Sequence, residues 1–162
     1  MTDPAAFYFG AERTEGLLFV IIGLLAVEVA YTCWRRSGSH AAKGGAVALL
    51  LVAALQLVVG ATLFVRSPHD LARVNRAVEV HRPHIHLHEV PRMQQVMSYF
   101  RIYRWIEIVL LLLGLCAAIW ARQGSWLRGA GAGIVPQAGV MLILDGLAEQ
   151  RGRAYLVWLQ TL

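Results

Sequence analysis

Charge is scarce in this chain. Asp, Glu, Lys and Arg make up only 15 % of its 162 residues, against about a quarter in an ordinary soluble domain. A deficit of that size points away from a chain that meets water over most of its surface. Lysine is nearly missing, since Lys43 is the only one of 15 basic residues that is not arginine. Cysteine is limited to Cys33 and Cys116, far apart and in no CxxC pair. Both should lie near the same membrane face, which leaves a bridge open as the second reading, and both thiols are expected to pack as small apolar groups. GxSxG, HExxH and the phosphate-binding glycine loop are absent too, so the expectation leans away from an enzyme. No nucleic-acid-binding motif accompanies the net charge of +5, and nucleic acid is not an expected partner. No histidine lies inside an apolar run, which argues against a haem held between spanning helices and against histidine-assisted quinone chemistry.

What the chain has in quantity is apolar sequence, 57 % of the residues. It falls into four runs, about 17–34, 46–65, 105–121 and 129–148. Each approaches the roughly 17–25 residues that a helix needs to cross a bilayer core. Only structures with closed backbone hydrogen bonding survive there. The expected fold is therefore all-α, a single polytopic membrane domain over 1–162 with four transmembrane helices in a bundle. The first run lacks a basic leader and a small-x-small site after it, so it is expected to stay as a span rather than be cleaved. Trp34-Arg35-Arg36 and Trp120-Ala121-Arg122 are aromatic-basic anchors of the interfacial kind. Small residues in the second run, and the pair Gly129 and Gly133, suit close helix packing in lipid.

Between runs two and three lies the one long polar segment, about 67–104, expected to form an extramembrane helical hairpin. Ser67-Pro68-His69-Asp70 reads as the start of a separate short helix, with Ser as cap, Pro at the first position and an acid in the first turn. Leu71, Val74 and Val78 recur at helical spacing after it. After Pro91, Met93, Val96, Met97, Phe100, Tyr103 and Glu107 fall on one face, predicting one long helix over 92–121. Lys and Arg number ten on the side of this segment and the termini and five on the other. The positive-inside rule then places both termini and the hairpin in the cytoplasm, in a multi-pass protein of the bacterial inner-membrane kind.

Four of the six histidines sit in HRPHIHLHE, residues 81–89. With Pro83 and Pro91 as brackets, an extended segment is expected. It would set His84, His86 and His88 on one side and Ile85 and Leu87 on the other. A plain solvated loop is the first reading. A metal site is the second, in which His81, His84, His86, His88 and Glu89 would suit zinc, copper(II) or nickel(II). A pH-responsive element is the third.

Ionisable groups within spanning runs are costly and are candidates for function. The intramembrane polar candidates are Glu28, Gln56, Arg104, Glu107, Asp145 and Glu149. Arg104 and Glu107, and Glu149 and Arg153, are spaced to pair on one helix face. Gln56 is the only companion for Glu28 in a possible ion pathway. Three functional readings follow. The first is a non-enzymatic structural or accessory membrane component without a cofactor, partnered by the lipid bilayer and by copies of itself or a larger complex. The second is an ion or small-solute transporter or channel-like protein using the intramembrane acids. The third is a metal-binding membrane protein or enzyme built on the histidine stretch.

Overall fold

The computed structural model describes residues 3–80 and 85–161, without the side chains of 79, 80 and 86. It is all-helical. Four helices account for nearly all of it: α1 Pro4–Arg36, α2 His40–Val80, α3 Val90–Trp120 and α4 Trp126–Leu159. Each is long and apolar enough to cross a membrane. At 1.5 Å per residue, the 41 residues of α2 span about 60 Å, twice the roughly 30 Å of a hydrocarbon core. The helices therefore continue well past the apolar runs that define them in sequence.

Local chemistry sets the ends. The Asp3 carboxylate accepts from the Ala5 N–H at 3.0 Å, and Pro4 fills the first turn of α1. The Ser39 hydroxyl accepts from the Ala42 N–H to start α2. The Ser125 hydroxyl does the same for Arg128 in α4, after a turn in which Gly124 takes φ +74°. The stretch RAYLVWL, residues 153–159, prolongs α4, and its Tyr155 and Leu159 are buried.

Two expectations are corrected. First, no new helix begins at Ser67, because α2 runs unbroken through Pro68. Ser67 Oγ lies 2.7 Å from both the Leu63 carbonyl oxygen and Glu12 Oε2 of α1, and it donates its proton there instead of capping. Arg66 bridges Glu12 and Asp70, each at 3.2 Å, across the proline. Tertiary ties thus hold the turn that loses a backbone donor. Second, residues 85–89 are not extended. They form a single π-type turn leading into α3. Residues two apart on a helical turn point to nearly opposite sides. Accordingly Ile85 is fully buried while Leu87 is 71 % exposed, so the two do not pack down together.

α1 packs on α2, α2 on α4, and α4 on α3. α1 meets α4 over a short stretch only. No Cα of α1 comes within 8 Å of one of α3 among the described residues, so the bundle has an open seam on that side. Glycine makes the closed seams. A Cβ at Gly60 would stand 2.6 Å from the Gly16 carbonyl oxygen between α2 and α1. One at Gly133 would stand 2.8 Å from the Gly45 oxygen between α4 and α2, and one at Gly131 2.5 Å from the Gly114 oxygen between α4 and α3. Such backbone approaches are how helices associate where no hydrophobic drive separates side chain from solvent.

Among the described residues, the main cluster of buried large side chains lies at one end. There the start of α1, the end of α2, the π turn, the start of α3 and the end of α4 bring together Tyr8, Phe9, Val74, Ile85, Met93, Tyr155 and Leu159. Tyr8 and Tyr155 stack at 4.5 Å between ring centroids. Over the rest of the length, the outer faces expose residues such as Leu24, Leu51, Leu113 and Ile143.

Candidate functional site

Just inside the packed end, acids and arginines form a belt across the helices. Glu12 takes Arg66 from α2, and Arg73 reaches Asp70 at 3.1 Å. Glu89 at the foot of the π turn receives Arg92 through two nitrogens, Nε at 3.0 Å and Nη2 at 2.5 Å. Arg73 at 3.5 Å and the Tyr155 hydroxyl at 3.4 Å complete its surroundings. Glu15 of α1 pairs with Arg151 of α4. Glu149 takes Arg153 of its own helix, as its spacing suggests, and also Arg104 from α3.

That last contact redirects the expected pairing. Arg104 crosses to α4, so it makes no ion pair with Glu107. Glu107 lies against Asp145 of α4 instead. Its side chain is only 5 % exposed, and Oε2 has no hydrogen-bond partner. Neither Glu107 nor Asp145 has an ion pair among the described residues. Asp145 lines a cavity of about 170 Å³ between the four helices. Glu12, Glu15, Asp145 and Arg151 supply its polar lining, and Tyr8, Phe19, Phe100 and Tyr103 its aromatic walls.

Two turns deeper, Gln56 Nε2 of α2 donates to Gln137 Oε1 of α4 at 2.8 Å, with both residues buried. Gln56 Oε1 has no partner. Gln137 was not singled out in sequence, although it is the only amide in the fourth apolar run. Beyond this pair the interior changes. Among the described residues, every buried polar or charged side chain lies at the level of Gln56 and Gln137 or nearer the packed end. Toward the other end the helices approach closely through Gly44, Gly45, Gly129 and Gly133.

Glu28 is not brought to Gln56. It is exposed on α1 among exposed Leu24, Leu25 and Val29, and no ion pair joins it to Arg35 among the described residues. The histidine stretch is described only in part. His81 and His84 lie outside the described residues, as does the side chain of His86. His88 is exposed, and Glu89 is committed to arginines. Among the described residues no group of three or more His, Cys, Asp or Glu is placed to hold a metal ion. A second cavity, of about 260 Å³, lies beside the π turn between Arg73, Ile85, His88 and Arg92. Cys33 and Cys116 are free thiols.

Comparison with protein-family models, with curated proteins and with solved structures found no match. Fold and site define a class: an all-helical protein with four helices long and apolar enough to cross a membrane, whose buried polar side chains, among the described residues, lie between the level of Gln56 and Gln137 and the packed end.

Proposed function

We propose that the chain is a small, non-enzymatic multi-pass membrane protein with a structural or accessory role. In this reading the α2–α3 hairpin and both termini stand outside the bilayer on its cytoplasmic side. The ionic belt lies near the headgroups, where arginines meet lipid phosphates. The observation that carries the proposal is the half-polar interior. Among the described residues, buried polar side chains run from the belt through Glu107 to Gln56 and Gln137, and none is buried beyond that level. A conducting path needs polar or wet groups across the whole thickness. A blind, glycine-sealed interior suits a packing scaffold better. Reconstitution into liposomes tests this: proton, sodium and potassium flux should equal that of protein-free vesicles.

A transporter is the second reading, favoured by Glu107 and Asp145, two carboxyls brought together with no ion pair to either among the described residues. Flux that is present in the wild type and lost in Asp145→Asn replaces the first reading with this one.

A further inference from the structure

The outer face of α1 carries a carboxyl where a lipid-facing stripe should be apolar. The helix stands at the edge of the bundle, packed along α2, touching α4 over a short stretch and α3 not at all among the described residues. Its outward residues Leu17, Ile21, Leu24, Glu28, Tyr31 and Arg35 recur at alternating spacings of four and three, and all are exposed. Any exposed stripe on a helix recurs in that way, so the spacing alone assigns nothing. The acid on its midline is the exception. Among the described residues of the four apolar runs, Glu28 is the only exposed charged side chain, since Glu107 is buried and Asp145 half-buried.

Nothing in the chain compensates it. Thr14 and Thr32 of the same helix donate to its Gly10 and Val29 carbonyls, whereas Glu28 has no hydrogen bond or ion pair among the described residues. At 1.5 Å per residue it lies about 10 Å along the helix from Arg35 and about 22 Å from Arg13. A short carboxylate side chain does not span either distance, and a charge facing hydrocarbon is costly.

Lipid tails offer no hydrogen bond, but a second copy of the chain does. Any copy inserted the same way carries its own Glu28 at the same depth, and two-fold packing sets a residue on the axis against its twin. A carboxyl is self-complementary there. Two in contact hold one proton between them, one donating and the other accepting, because both do not ionise at that range. The alternation of four and three is also the seam of a parallel helix pair, in which a single polar residue fixes register and strand number.

We propose that α1 is the interface of a parallel homodimer, with Leu17, Ile21, Leu24 and Tyr31 as its seam and the two Glu28 carboxyls hydrogen-bonded on the axis. This rests on the multi-pass reading, which sets the outer face of α1 in lipid.

The Cys33→Ala/Cys116→Ala protein is given one cysteine, by Ile21→Cys, Leu51→Cys or Leu113→Cys, and its native membranes are oxidised with copper phenanthroline. Ile21→Cys should cross-link two copies. Leu51→Cys and Leu113→Cys, on the exposed faces of α2 and α3, should not. Equal cross-linking at the three positions, or none at Ile21→Cys, overturns the dimer. A cross-link from Ile21→Cys only to a different polypeptide overturns it too, in favour of another partner. Reaction of all three cysteines with a membrane-impermeant maleimide in opened membranes removes the multi-pass reading and the dimer together, whereas shielded cysteines without a cross-link remove the dimer alone. Energy transfer between labelled copies in liposomes then measures dissociation. Glu28→Gln keeps a donor and an acceptor and should associate as the wild type does. Glu28→Leu should dissociate about three to fifteen times more readily, the equivalent of one hydrogen bond between membrane helices. Equal association of Glu28→Leu and the wild type overturns the carboxyl pair.

Discussion

Replacing Gln137 by leucine removes the acceptor for Gln56 while nearly keeping the volume. Gln56 is 1 % exposed, and its Oε1 is already without a partner. In Gln137→Leu the Nε2 donor, now 2.8 Å from Gln137 Oε1, is stranded as well. A polar group left unsatisfied in a dry interior costs about 1–3 kcal/mol. Hydrogen bonds between membrane helices are themselves worth about 0.6 kcal/mol on average and up to about 1.7. Gln137→Leu should therefore destabilise by about 1–3 kcal/mol. Gln56→Leu should cost less, because it deletes the orphaned Oε1 together with the donor. The double leucine variant should be more stable than the sum of the single effects predicts, with a coupling of about 0.6–1.7 kcal/mol. Reversible unfolding of the four proteins in mixed micelles measures the cycle. Additivity within about 0.3 kcal/mol, or a Gln137→Leu variant as stable as the wild type, refutes the pair as the polar link between α2 and α4.

Glu89→Leu should destabilise the packed end by several kcal/mol, because breaking a buried ion pair from one side leaves its partner uncompensated, at a cost of about 3–5 kcal/mol. Arg92 keeps about a quarter of its side chain exposed, which moves the expectation to the lower end, and chemical unfolding in detergent checks it against Glu12→Leu. Gly60→Ala, whose new methyl meets the Gly16 carbonyl at 2.6 Å, should cost about 1–3 kcal/mol by overpacking. Gly139→Ala, with nothing within 4 Å of its added carbon, should be neutral or slightly stabilising, and equal thermal stability of the two variants would remove the α1–α2 glycine seam from the account.

The helices were legible where one element decides its own fate. Apolar length marks α1 to α4, and the Met93-to-Glu107 stripe marks α3. Errors arose where distant groups decide. Pro68 looks like a beginning until Glu12 and Arg66 are seen to hold it inside α2. Ile85 and Leu87 look alike until the core claims one of them. Arg104 and Glu107 are well spaced to pair, yet Glu149 on another helix takes the arginine. Of the candidate site, Glu107, Asp145, Glu149 and Gln56 were readable as costly groups in apolar surroundings. Their grouping was not, because which residues meet across α3, α4 and α2 depends on helix rotation, and periodicity in weakly amphipathic helices does not fix it.

The most direct test of four spans with one polar, capped side is the sidedness of single cysteines. Cys33 and Cys116 are first replaced by alanine, and one cysteine is then placed at His40, His88, Gln123 or Gln160 in intact cells. A membrane-impermeant maleimide should reach residues 40 and 123 from outside, while residues 88 and 160 should label only after the cells are opened. Labelling of residues 40 and 160 from the same side would contradict the account.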